Sequence, residues 1–122
     1  MIYQSSITIG TAVSSTDPTI TRLALTKGLI YRVEVEWAPP GTGLAGAAIF
    51  DGGAQIWPSI RGEWFIDDGH LLGFDDLYLK EVAPFELQIK TYNTDTEITH
   101  LVMIRVGMVS KEAFMARFMP TT

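Results

Sequence analysis

Any chemistry this chain performs has to come from a small set of side chains. Acidic groups gather at Asp67, Asp68, Asp75 and Asp76, with His70 between the two pairs. Oxygen-rich turns of this kind can hold calcium. The alternating Asp-x-Asp-x-Asp-Gly spacing and closing glutamate of a calcium loop are absent, and adjacent aspartates on a strand point to opposite faces. The plainer reading is solvated turn residues that bond their own backbone, so no metal ligand is assigned. Two histidines, His70 and His100, lie far apart in the chain. No Gly-x-Ser-x-Gly elbow offers them a nucleophile, and neither sits in a His-x-His or His-x-Asp motif. A cupin-like enzyme using His70, His100 and Asp67 or Asp68 is an alternative that metal analysis would test. Gly41-x-Gly43 and Gly52-Gly53 open no helix, which removes the dinucleotide-loop reading. The expectation is a protein with no catalytic residue and no cofactor.

Three tryptophans carry more information. Trp37, Trp57 and Trp64, with Tyr92, could form a stacking platform for sugar rings, which makes a glycan an alternative partner. Against this, indoles commonly close the open ends of a sandwich core. Trp37 shares a strand face with Val33 and Val35, which favours the core role.

The elements that must position these groups are strands. Residues 29–37 alternate, with Leu29, Tyr31, Val33, Val35 and Trp37 on one face and, after an opening Ile30, Arg32, Glu34 and Glu36 on the other. Phe85, Leu87 and Ile89 repeat the pattern against Glu86, Gln88 and Lys90. Residues 98–109 are apolar on both faces, as befits a strand in mid-sheet or at a subunit contact. Further strands are read over 2–9, 20–25, 44–50, 54–57, 70–74 and 77–80, separated by Gly, Pro and Asp turns. Turns every ~8–12 residues are the spacing of a sandwich or barrel. The predicted fold is therefore all-β: an antiparallel two-sheet β-sandwich of about eight strands. Tyr31, Val33, Val35, Phe85, Leu87, Ile89, Val102 and Ile104 are placed in its core. One helix is expected, from a Ser110 cap through Met119, with Glu112 and Arg117 suited to its dipole.

Composition bounds the rest. The 122 residues suffice for one domain, read as 1–122 with 110–122 as an appendage. A net charge of −5 has the wrong sign for a phosphate-neutralising protein, so no nucleic acid is expected. No apolar run approaches the ~18 residues of a membrane span, and the opening Met-Ile-Tyr-Gln-Ser-Ser does not read as a signal peptide. Cysteine is absent, which removes disulfides and thiolate metal sites. Yet 47% of residues are hydrophobic and the mean hydropathy is +0.18, more apolar side chain than a small core needs.

The run GLIYRVEVEWAPPGTGLAGAAIFDGGAQIWPS, then GEW, a DDGH turn and a closing NTDTEITHLVMIRVGMV, resembles small single jelly-roll proteins of virus particles. These are the decoration, cement and vertex proteins of tailed phages and related viruses. The resemblance spans about residues 27–109. It implies a jelly-roll sandwich, a virion location, and the major capsid protein or other virion proteins as partners, with no cofactor. A homo-oligomer is expected as well. Contacts are assigned to the loop of Pro39 and Pro40 with its neighbours Trp37 and Trp57, and to the C-terminal Phe114, Met115, Phe118 and Met119. That C-terminal segment is expected to reach a neighbouring subunit as an arm.

Overall fold

Strand alternation resolves into two antiparallel sheets in the computed structural model, which describes residues 1–118 and, of Phe118, only the backbone. The strands are β1 (Ile2–Ile9), β2 (Thr19–Ala24), β3 (Gly28–Trp37), β4 (Ala45–Asp51), β5 (Ala54–Trp57), β6 (Phe65–Ile66), β7 (Leu71–Lys80), β8 (Glu86–Asn93) and β9 (His100–Val109), followed by helix α1 (Lys111–Phe118). One sheet runs β1-β9-β3-β7, the other β2-β8-β4-β5, with β6 also paired to β4.

That order has a simple origin. Each strand pairs with its mirror image in the chain: β1 with β9, β2 with β8, β3 with β7, β4 with β5 and β6. The chain is thus one long hairpin bent at β4–β5. Rolling it up adds the contacts β3·β9 and β4·β8. A rolled hairpin split between two sheets is a jelly roll, the architecture shared by capsid, lectin and cupin domains. The core lies between the sheets and is built from Val33, Val35, Leu87, Ile89, Val102 and Ile104 among others, all buried. Mid-sheet β9 is covered on its inner side by this core. On its outer side, Arg105 spans Glu34 and Glu36 at 3.6 and 2.7 Å.

Two expected core residues are corrected. Tyr31 is 39% exposed, and Ile30 takes its place inside. The cause is a bulge in β3 between Ile30 and Arg32, where β9 passes directly from Met108 to Gly107. The extra residue turns Tyr31 outward beside Arg32. Gly107 accommodates it, because a Cβ there would stand 2.9 Å from the Tyr31 ring. Phe85 is only half-buried, lying just before β8 begins. Two further differences concern strand limits. The strands expected over 70–74 and 77–80 are one continuous β7, which pairs with β3 on both sides of a register shift at Asp76–Leu77, Asp75 lying opposite Arg32 and Tyr78 opposite Ile30. A short β6, not anticipated, pairs Phe65 and Ile66 with Ala47 and Gly46.

Helix α1 starts as expected, with Ser110 Oγ accepting the Ala113 N–H at 3.1 Å. It lies back near β3 of its own sheet, and Lys111 pairs with Glu81 at 3.1 Å. The helix rests beside β3 with all of residues 111–117 except Phe114 exposed. The expected helical residue Met119 and the Phe118 side chain lie outside the described residues.

Candidate functional site

Four connections meet at one end of the sandwich: β1–β2, β3–β4, β6–β7 and β8–β9. Polar bonds knit them together. The Gly43 N–H donates to the Asp67 carbonyl at 2.9 Å, and the Thr94 N–H to the Leu44 carbonyl at 2.8 Å. Val13 bridges Asn93, and the Ala12 N–H reaches the Asp95 carbonyl at 2.9 Å. Gly41 abuts the turn after β6 so closely that a Cβ would stand 2.2 Å from the Asp68 carbonyl carbon. The Pro39 and Pro40 loop is exposed at this end, as a contact loop requires.

At its centre lies His100, 4% exposed. Its Nδ1 is 3.1 Å from Asp67 Oδ2, and its Nε2 is 3.1 Å from Asp95 Oδ2. The Asp67 contact has ion-pair distance without hydrogen-bond alignment, so that buried oxygen is left without a hydrogen bond. The other Asp67 oxygen accepts the Gly69 N–H at 3.1 Å. Asp95 accepts the N–H groups of Glu97 and Ile98. The Glu97 N–H above all, then the His100 hydrogen bond, hold its carboxyl below the ordinary 3.8. Both ring nitrogens thus face a carboxylate, and the hydrogen bond is the one between Nε2 and Asp95. Thr42 Oγ1 is 3.5 Å from Nε2, the nitrogen that Asp95 already occupies. The group is built as a tie between loops, with no nitrogen turned to a substrate.

The aspartates and histidines singled out in the sequence are thus separated. Asp67 joins His100, whereas Asp68 caps the His70 N–H at 3.0 Å and His70 itself is exposed. Asp75 pairs with Arg32 at 3.1 Å. Asp76 accepts the Trp57 indole N–H at 2.7 Å, and this bond with the Leu77 N–H lowers its pKa. Among the described residues no group of three acids or histidines is arranged to hold a metal ion.

Trp37 and Trp57 are core residues, 3% and 2% exposed, so neither indole is a surface anchor. Trp57 packs edge-on to Tyr78 with centroids 5.6 Å apart. This corrects their assignment to a contact surface: Trp37 continues the inward face of β3, and Trp57 fills the gap between β5 and β7. Trp64 behaves differently. It is half-buried and stands at 86° to Tyr92, centroids 4.8 Å apart, where the Tyr92 ring lies over Gly46 on the outer face of the β4–β8 sheet.

A second region, unforeseen in the sequence, lies along β7. Among the described residues this edge strand pairs only with β3. Leu71, Leu72, Leu77 and Leu79 are all exposed on it, Leu77 by 62%. Beside Leu77 opens a cleft of about 970 Å³ between β7 and α1, whose walls include Tyr31, Met108 and Phe114. Met115 is 44% exposed and lines a smaller recess next to Leu79. The signal was present as leucines at both parities of LLGFDDLYLK, which one buried face cannot absorb.

Taken together, the topology defines a jelly-roll β-sandwich with a polar, tied loop end and an apolar edge. Comparison with known proteins finds no matching family model, no similar curated protein and no similar solved structure.

Proposed function

We propose that the chain is a structural virion protein: an accessory capsid subunit of the decoration, cement or vertex type that binds and stabilises the shell. The observation that carries this reading is the edge strand β7 with four exposed leucines, Leu71, Leu72, Leu77 and Leu79. Exposed apolar side chains gathered on one edge are surface suited to association. The strand-and-turn resemblance to virion jelly rolls supports the same reading, and the acidic charge supports a protein partner over nucleic acid. Among the described residues no helix is long and apolar enough to cross a membrane. Partners are the major capsid protein or other virion proteins, with self-association of the chain as a further element of the proposal.

A major capsid protein gene is expected beside this one, and sedimenting the purified chain with shells of that protein tests the role. Saturable co-sedimentation, with shells surviving a higher temperature, is the expected outcome. A chain that stays in the supernatant at every ratio overturns the role. One observation favours a second reading, carbohydrate binding: the accessible Trp64–Tyr92 pair on an outer sheet face. A glycan array reads it directly, and a Trp64→Ala variant that keeps any glycan signal removes that pair as the site.

A further inference from the structure

The sandwich has unequal edges. β1 presents Ile2, Gln4, Ser6 and Thr8, β2 is six residues long with Ile20 and Arg22 outward, and β5 and β6 are only four and two residues long. β7 is ten residues long, contains no proline, and turns Lys80 inward onto Asp51 at 2.7 Å. Proline, outward lysine and short length, three guards of a free edge, are absent from β7; the guards it keeps are the register shift at Asp76–Leu77 and the inward Lys80. Its register shows why leucines are exposed on both sides. Leu71 and Leu79 lie opposite Glu36 and Leu29, on the outer side of the sheet. Leu72 lies opposite core residue Val35 yet is 46% exposed. The one polar interruption is the doublet Asp75–Asp76 at mid-strand.

We infer that β7 is a strand-addition site for an extended, apolar segment carrying Lys or Arg opposite Asp75 and Asp76. Main-chain bonds to the free edge supply affinity in this mode, and alternate side chains supply selectivity. The cleft beside Leu77 gives one large apolar side chain of the incoming strand a socket. The aspartate doublet selects against a second copy. Two β7 strands paired about a central dyad would set Asp75 against Asp76, and like charges directly opposite are destabilising. Arg32 already shares Asp75, so Asp76, whose hydrogen bonds come from the neutral Trp57 and Leu77 donors, carries most of this selection. The site stands on the edge geometry alone. Naming the strand as an arm of the shell subunit rests on the proposed virion role.

The test uses the intact chain and a synthetic peptide as long as β7, alternating Val and Thr with two central lysines. Backbone amide shifts and hydrogen exchange on 71–80 should change on titration, and those on β1 and β2 should not. Exchanging the two lysines for glutamates should weaken binding about tenfold. N-methylation of alternate peptide amides should abolish it without touching the protein. Shift changes that map elsewhere, or equal binding of the glutamate peptide, overturn the inference. So does a free chain that already dimerises with β7 amides protected, because a second copy is then the occupant. Shell sedimentation of a Leu77→Arg variant separates the two proposals. If the wild type binds shells and the peptide fails, the edge is wrong and the role stands. If the peptide binds and the wild type ignores shells, the role is wrong and the edge stands.

Discussion

The loop end and the β7 edge solve opposite problems with the same fold. At the loop end, connections that would otherwise be loose are tied by buried charge, with Asp67 and Asp95 on either side of His100. Along β7, the backbone is held on one side only, and large apolar side chains face solvent. A buried polar network is costly unless satisfied, so it fixes one arrangement of the loops. An exposed apolar edge fixes nothing in the single chain and becomes favourable when something covers it. The contrast separates residues that hold the fold from residues that are free to serve a partner, and mutations should tell the two apart.

The largest effect is expected at the tie. His100→Ala removes the ring that hydrogen-bonds Asp95 at 3.1 Å and lies 3.1 Å from the buried Asp67 Oδ2, and leaves a cavity in its place. Losing a buried side chain together with its hydrogen bond costs about 2–5 kcal/mol, which urea unfolding would read as a lower midpoint at unchanged slope. A loss below about 1 kcal/mol would mean the loops hold without His100, and the contrast between the two regions would collapse. Next comes Gly41→Ala. Its Cβ would meet the Asp68 backbone at 2.2 Å, contact no rotamer can relieve, and overpacking of this kind costs about 1–3 kcal/mol.

Acid should act on both regions, and that sharpens the comparison. Asp95 at the loop end is lowered by the Glu97 N–H and by His100. Along β7, Asp76 is lowered by the Trp57 indole. Burial pushes the Asp51 carboxyl up, but hydrogen bonds from Lys80 and Tyr78 outweigh it and leave it lowered. A carboxylate with a depressed folded pKa contributes stability above its unfolded value, and that contribution is lost as pH falls through the folded one. Stability should therefore decline as pH drops below the ordinary 3.8. Asp95→Asn and Asp76→Asn should each flatten part of that decline. Identical acid titrations of wild type and both variants would show that these carboxylates carry none of it.

Much of the frame was legible because alternation is a local property. Residues 29–37 and 85–90 announce strands, and the two-faced 98–109 announces a strand in mid-sheet or at a subunit contact. The bulge at Tyr31 was not legible, since it depends on how Gly107 of a distant strand receives an extra residue. Asp75–Asp76 reads as a turn until Arg32 and Trp57 arrive to hold both carboxylates in a strand. Trp37 and Trp57 look like anchors because large aromatic residues serve interfaces and cores alike. Their alternation favoured the core, and the core is where they sit. The leucines of β7 illustrate the reverse confusion. An apolar residue reads as buried until topology shows that its strand has a neighbour on one side only.

The smallest effect on stability should come with the largest effect on association. Leu77 and Leu79 are 62% and 41% exposed, and neither belongs to the buried core. Replacing both with serine removes surface that water already reaches, so stability should stay within about 0.5 kcal/mol of wild type. If β7 is the adhesive edge, the same variant should lose most of its binding to shells and to the strand peptide, because the apolar sides of the added strand would have nothing to cover. Thermal unfolding and sedimentation of one sample measure both quantities. A double serine variant that unfolds early would assign these leucines to the fold and place the working surface elsewhere. A variant that is stable and still binds fully would leave the loop of Pro39 and Pro40 as the remaining contact, and would turn the comparison around.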